Sequence, residues 1–137
     1  MGTVYADIIL KNSVDISSVK RGYMTEKEIR TVSVTALVDT GAGTLIINES
    51  IREKLGLEII GLRGVTVAGG TRKTCQVTEP VHIQWKNRDT ACRAIVLPGE
   101  GEVLLGAIPL EDMDLIVNPV KQELAGAHGD EIVCYVK

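Results

Sequence analysis

Apolar and polar residues alternate along much of this chain with the two-residue period that is typical of β-strands. In the clearest case, Val32, Val34, Ala36 and Val38 occupy every second position of the segment 31–38. Such a strand has one face on an apolar core. The predicted strands are Val4–Leu10, Glu28–Val38, Leu45–Ile47, Val65–Ala68, Arg72–Val77, Val81–Trp85, Ala91–Leu97, Val103–Ala107, Leu115–Asn118 and Glu131–Val136.

Helical signals are short and few. Asn48 is a good N-cap for a helix over Glu49–Leu55, and Gly56 follows at the position where helices often end. A second short helix is predicted from Pro109, as its first residue, through Met113. Lys11–Lys27 lacks a sustained period and is predicted as a loop, with at most one helical turn at the capping box Thr25-Glu26-Lys27-Glu28.

Glycine and polar residues predict the connections between strands. Gly69-Gly70-Thr71 separates two strand patterns and predicts a β-hairpin. Asn87-Arg88-Asp89 is predicted as the turn before Ala91–Leu97.

Asp39 lies where the apolar segment Ala36-Leu37-Val38 ends, and Thr40, Gly41 and Ala42 follow it. A carboxylate at the end of a buried strand is costly unless it is hydrogen-bonded or shares its charge. By itself, Asp-Thr-Gly is also explained as a turn. A later apolar run, Val103–Ile108, is interrupted by Gly106, which indicates a close approach of two backbones.

Taken in order, these motifs resemble those of the retropepsin-like aspartic proteases. The resemblance runs from the first strand through Asp39-Thr40-Gly41-Ala42 and Leu104-Leu105-Gly106 to Leu115–Pro119. It implies an all-β fold, a closed barrel with a flap hairpin and one or two short helices, in a single domain over residues 1–137. It also implies a catalytic Asp39, with Thr40 bracing two Asp loops through its hydroxyl and Gly41 allowing the tight turn.

The same resemblance implies that a peptide substrate lies extended in a cleft, under the hairpin as a mobile flap. The alternative for this hairpin is an ordinary surface hairpin. Arg72 and Lys73 beside its tip either favour acidic substrate residues or are simply solvated. The implied substrate-binding residues are Ala42, Val67, Ala68, Gly69, Gly70, Thr71 and Leu105.

Hydrolysis of a peptide bond by carboxylates needs two of them, one ionised and one protonated. The chain has one Asp-Thr-Gly. A symmetric homodimer that brings two copies of Asp39 together is therefore expected, because two-fold symmetry is the commonest geometry of oligomers. There are two alternatives. The two-fold partner has a different sequence, or the protein is a peptide-binding module that has kept the fold without catalysis.

Composition and cysteine spacing argue against several other classes of function. The net charge is −3, with three Tyr, one Trp and no Phe, which argues against nucleic-acid binding. Cys75, Cys92 and Cys134 are widely spaced, so neither disulfides nor a metal site is predicted. No cofactor is expected. There is no apolar run of membrane-spanning length and no leader-like N-terminus, which predicts a cytoplasmic protein that does not bind membranes.

Overall fold

A computed structural model describes residues 2–136, and most of its regular structure is β-strand. The strands are β1 Tyr5–Asn12, β2 Thr31–Val38, β3 Leu45–Asn48, β4 Ile59–Thr66, β5 Arg72–Thr78, β6 Val81–Trp85, β7 Arg88–Cys92, β8 Ala94–Leu97, β9 Leu104–Leu105, β10 Leu115–Asn118 and β11 Glu123–Gly126. The helices are α1 Ser13–Lys20, α2 Glu49–Leu55 and α3 Ala107–Asp112, with a 3-10 turn at Glu26–Glu28.

Nine strands form one curled sheet in the order β4-β5-β8-β3-β9-β2-β1-β6-β7, and β10 pairs with β11 in a separate sheet. Most neighbours are antiparallel, but β2 with β9 and β3 with β8 are parallel. The predicted all-β character is confirmed. Closure of the barrel is not confirmed, because the order among residues 2–136 begins at β4 and ends at β7 and leaves the sheet with two edges.

The main core lies on one face of this sheet. Alternate residues of β1, including Ile8 and Leu10, are buried there, as the two-residue period predicts. Helix α2 covers the core with Ile51 and Leu55. Its predicted ends are confirmed, because Asn48 accepts a hydrogen bond from the Ile51 N–H and Gly56 has a left-handed φ of 62°.

A second, smaller group of apolar side chains lies on β3, β5 and β8 and is called the small apolar cluster below. Its buried members are Ile46, Cys75, Val77 and Ile95. Four partly buried residues pack against it, namely Ala42, Val65, Leu97 and Leu104.

The loop predicted over Lys11–Lys27 is wrong in its first half, where α1 forms. The Asn12 side chain caps this helix by accepting from the Asp15 N–H at 3.0 Å. The carboxylate of Asp15 is then held by Arg30, which is distant in sequence. The helix depends on this tertiary contact and has no continuous apolar stripe, so the sequence shows no helical periodicity from which it could be predicted. The capping box at Thr25 is confirmed, with a single 3-10 turn.

The position of the turn predicted at Asn87-Arg88-Asp89 is also wrong. The chain turns earlier, at Lys86, which has a φ of 51°, and Arg88 already belongs to β7. The Arg88 side chain is buried and donates to the carbonyl oxygens of Met113 and Asp114. These tertiary contacts place Arg88 in a buried strand, although its polar neighbours in the sequence predict a turn.

The C-terminal third differs from the prediction in two respects. The predicted strand Val103–Ala107 shrinks to β9, because Gly106 already caps α3, which begins two residues before Pro109. The strand predicted at Glu131–Val136 is absent from the described residues, where Glu131 forms only an isolated bridge to His128. The strand that pairs with β10 is β11 at Glu123–Gly126. With α1, the residues described contain three α-helices and not one or two.

The hairpin of β4 and β5 is confirmed, with pairing that extends back to Ile59. The longest α-helix found in residues 2–136 has eight residues, so none of the helices described there is able to cross a bilayer.

Candidate active site

Asp39 directly follows β2, and its backbone is fixed by β9. The Asp39 N–H donates to the Leu105 carbonyl oxygen at 3.0 Å, and the Leu37 N–H donates to that of Val103 at 2.8 Å. The sequence-predicted proximity of the two apolar segments is therefore confirmed. Asp39 is partly buried at this junction.

The turn after Asp39 is shaped by the carboxylate itself. Asp39 Oδ1 accepts from the Gly41 N–H at 2.9 Å, and the Ala42 N–H donates to the Asp39 carbonyl oxygen at 3.1 Å. A Cβ at Gly41 would lie 3.1 Å from Asp39 Oδ1, which is tighter than ordinary contact. Within residues 2–136, the other carboxylate oxygen accepts no hydrogen bond, so it is available to a water molecule or a second carboxyl group.

Gly106 lies against the back of this loop, as its isolated position in an apolar run predicts. The Ala107 N–H donates to the Ala42 carbonyl oxygen at 2.8 Å, and the Ile108 N–H donates to that of Gly43 at 3.1 Å. A Cβ on Gly106 would collide with backbone oxygens of the loop. The loop is thus bonded along its length to the start of α3.

Leu105 and Leu104 point to different places. Leu105 is fully buried in the main core, so it contacts the site through its carbonyl oxygen on Asp39. Leu104 packs in the small apolar cluster with Ala42, beside the Asp loop. The alternation of a strand predicts that such neighbours face opposite sides, but the sequence alone does not say which one faces the core.

Thr44 closes the loop and ties it to β8 and β7. Its hydroxyl donates to the Arg93 carbonyl oxygen at 2.8 Å and lies 3.7 Å from Cys92 Sγ. Burial raises the pKa of the Cys92 thiol. A thiol that stays protonated is a poor nucleophile, so Cys92 serves packing near the loop.

Thr40 is exposed beside a mainly apolar cavity of about 330 Å³. Residues of α3, β10 and β11 line this cavity, among them Leu110 and Ile116. Ile108 and Ile116 are 55% and 50% exposed, so the surface next to the Asp loop carries uncovered apolar side chains.

The tip of the hairpin is held by its own hydrogen bonds. Val67 N–H donates to the Thr71 carbonyl oxygen at 2.9 Å, and Gly69 and Gly70 have φ values of 93° and 85°. Ala68 and the three residues after it are exposed. No hydrogen bond among the described residues joins this tip to the Asp39 loop, whereas Val65, lower on the hairpin, shares the small apolar cluster with Ala42.

The structure therefore divides the predicted site residues into two groups. Asp39, Thr40, Gly41 and Ala42 form one turn, which is bonded to Leu105. Val67, Ala68, Gly69, Gly70 and Thr71 form the separate hairpin tip.

The two histidines lie apart from this turn. His82 Nε2 pairs with Asp89 at 2.8 Å, and His128 Nδ1 pairs with Asp114 at 2.7 Å. In the part of the chain that the structure describes, no three His, Cys, Asp or Glu side chains are grouped as metal ligands would be.

A family model described as aspartyl protease matches residues 26–108, which is more than half of the 137-residue chain. The chain belongs to the retropepsin-like aspartyl protease family. The matched span contains the Asp39 turn, the β4–β5 hairpin and Leu104-Leu105-Gly106, so the resemblance read from the sequence is confirmed. A search of curated proteins gave no match to this family member.

Proposed function

We propose that this family member is an aspartic endopeptidase that works as a homodimer, with Asp39 of each subunit forming a catalytic pair. The observation that carries the proposal is the Asp39 carboxylate, which the backbone holds by one oxygen while the other accepts no hydrogen bond among residues 2–136. Each chain supplies one such turn, so a second copy completes the pair. We take residues 1–137 as one protease domain.

The two carboxyl groups would lie about 3 Å apart, at which distance both cannot be ionised and they share one proton. The ionised carboxylate takes a proton from a water molecule, whose oxygen attacks the carbonyl carbon of the peptide bond. The protonated carboxyl group donates to the carbonyl oxygen in the tetrahedral intermediate. When the C–N bond breaks, the leaving nitrogen takes the proton that the first carboxylate accepted from water, and a hydroxyl of the intermediate returns a proton to the second. A carboxylic acid and an amine are released, and the pair again shares one proton.

The neighbouring residues support this role. Thr40 is exposed, which supports a role in which its hydroxyl contacts the equivalent loop of the second subunit. Gly41 presents its N–H to Asp39 without a side chain that would crowd the carboxylate. Leu105 supports Asp39 through its carbonyl oxygen, while Ala42 and Leu104 offer an apolar surface for a substrate side chain.

The hairpin tip is proposed as the flap. Val67, Ala68, Gly69, Gly70 and Thr71 would cover an extended peptide and bond to its backbone, as in strand addition. Exposure of Ala68–Thr71 and the left-handed glycines favour a segment that adapts to its ligand.

The apolar surface beside the Asp turn supports self-association. Ile108 lies two residues after Gly106, and its N–H donates to the Gly43 carbonyl oxygen of the loop, yet about half of the residue is exposed. With Ile116, it would become buried when a second subunit approaches Thr40. Sedimentation equilibrium distinguishes a homodimer from a monomer that awaits a partner of different sequence.

The test compares the natural protein with Asp39→Asn on a peptide library, with and without a statine-type mimic of the tetrahedral intermediate. Asparagine keeps the shape and still accepts from Gly41, so the variant stays folded and dimeric but loses cleavage. An Asp39→Asn protein that still cuts peptides would falsify the assignment.

The second candidate is a dimeric peptide-binding module without catalysis. The observation that favours it is the hairpin tip, which no hydrogen bond among the described residues fixes over Asp39. Binding of the statine-type peptide without any cleavage that it inhibits would decide for the module.

A further inference from the structure

The β4–β5 hairpin has two chemically different faces, which the pairing register identifies. Directly opposite residues of paired strands share a face, and so do alternate residues along one strand. Arg63 pairs with Cys75, and Val65 pairs with Lys73. These four residues therefore lie on one face, and Arg72, which pairs with Thr66, lies on the other.

The face with Arg63 and Lys73 is the one that continues toward the Asp39 turn. Cys75 is buried in the small apolar cluster, and Val65 packs against it. The same cluster receives Ala42 from the catalytic turn and Leu104 from β9. Side chains on this face therefore border the surface on which a peptide at Asp39 would lie.

Arg72 is directed elsewhere. Its aliphatic stem lies over Gly64, where an added Cβ would be 3.6 Å from Arg72 Cδ. Arg72 and Lys73 are adjacent in sequence and carry the same charge, but the pleat of the strand sends them to opposite sides.

Arg63 and Lys73 are also without acidic partners. Segment 59–78 contains three cations and no Asp or Glu, although the whole chain has a net charge of −3. Among residues 2–136, the ion pairs are those of Arg30, Arg52 and the two histidines, and none involves the hairpin cations. Their charge is therefore free to act on a ligand.

We propose that Arg63 and Lys73 are specificity-determining residues that select peptides with Asp or Glu side chains near the scissile bond. This inference rests on the proposed protease function. Arg63 and Lys73 are diagonal neighbours across the strand pair, with Cα atoms about 7–8 Å apart, which is close to the separation of residues i and i+2 along an extended peptide. Carboxylates at two alternate substrate positions would thus each meet one cation, with water partly excluded under the hairpin.

The experiment compares a peptide that has Glu at two alternate positions with the same peptide carrying Gln there. At low salt, the natural protein is expected to show kcat/KM about tenfold higher for the Glu peptide, and the preference should shrink as salt is raised. The double variant Arg63→Gln with Lys73→Gln should cleave both peptides at similar rates. Charge reversal to Glu at both positions should invert the preference.

Arg72→Gln is the matched control, because it removes the same charge from the neighbouring residue on the opposite face. It should keep the preference for the Glu peptide. Equal cleavage of the two peptides by the natural protein, or an equal loss of preference in Arg72→Gln and Lys73→Gln, would overturn the inference.

Failure of the protease proposal is separately visible. If neither peptide is cleaved, the affinity for statine-containing versions with Glu or Gln is measured by calorimetry. Tighter binding of the Glu version, abolished in the double variant and kept in Arg72→Gln, supports the inference without catalysis. Equal affinities, or no binding of either version, overturn it.

Discussion

The position of the Asp39 carboxylate follows from a few backbone contacts. The Gly41 N–H donates to one oxygen of the carboxylate, and the backbone N–H of Asp39 donates to the Leu105 carbonyl oxygen. Neither contact depends on a long side chain, so the carboxylate is oriented at little cost in side-chain entropy. Such preorganisation is what the proposed catalytic pair needs.

Gly106→Ala tests the close approach behind the turn. An added Cβ would meet the carbonyl oxygens of Ala42 and Thr44, which are backbone atoms that cannot move aside cheaply. We expect a loss of at least about 2 kcal/mol in the free energy of unfolding, measured by urea titration, together with loss of peptide cleavage.

Gly43→Ala is the control for this change within the same loop. A Cβ at Gly43 meets nothing within 4 Å, so the stability should change by less than about 0.5 kcal/mol. Equal urea midpoints for the two variants would show that the contact behind the loop is not close.

At the scale of elements, α1 shows how a helix is fixed from outside itself. The Asp15 side chain is 4% exposed and accepts from Arg30 Nε at 2.9 Å and from Arg30 Nη2 at 2.8 Å. Asn12, its cap, donates to the Leu55 carbonyl oxygen at the end of α2. The helix is thus anchored at its first turn to Arg30, the residue before β2, and to the end of α2.

Asp15→Asn should reveal this anchor through its pH dependence. Hydrogen bonds from Arg30 hold the pKa of the Asp15 carboxyl below its ordinary value of 3.8. Its contribution to stability is therefore complete at neutral pH and is lost as the pH falls below about 4. The variant should be less stable by about 2 kcal/mol at pH 7, and the difference should narrow in acid.

Urea midpoints measured from pH 7 to pH 3 check this prediction. Asp130→Asn, which changes an exposed carboxylate, should leave stability unchanged at both ends of the range. A deficit in Asp15→Asn that is the same at pH 3 as at pH 7 would mean that the ionised carboxylate contributes nothing.

At the scale of the whole molecule, the proposed activity belongs to the dimer. When natural protein is mixed and equilibrated with an equal amount of Asp39→Asn, random exchange leaves half of its subunits in fully natural dimers. Cleavage should fall to about half of the value for natural protein alone, whereas an equal amount of serum albumin should have no effect. Undiminished activity in the mixture would argue that one Asp39 is sufficient.

The acid–base chemistry of a pair predicts the pH profile as well. One carboxyl group must keep its proton while the other is ionised, so the rate should be highest on the acidic side of neutral. Initial rates of peptide cleavage from pH 3 to pH 11 check this, and a constant rate from mild acid to strong alkali would contradict a shared proton.

The sequence by itself determined the local features. Alternation identified β2 and β6, capping residues identified the ends of α2, and the order of Asp39-Thr40-Gly41 and Leu104-Leu105-Gly106 pointed to the family. These features depend on residues close together in the sequence or on the order of motifs along it, so they can be predicted without the tertiary structure.

Tertiary structure decided what depends on distant residues. Helix α1 needs Arg30, the burial of Arg88 needs carbonyl groups more than twenty residues away, and the open order of the sheet depends on all nine strands. The two faces of the hairpin are a further case, because alternation along a strand puts Arg72 and Lys73 on opposite sides, but only the tertiary structure shows that the side of Lys73 is the one that continues toward the Asp39 turn. Local patterns fix which residues can form a strand, but the partner strand decides where each side chain points.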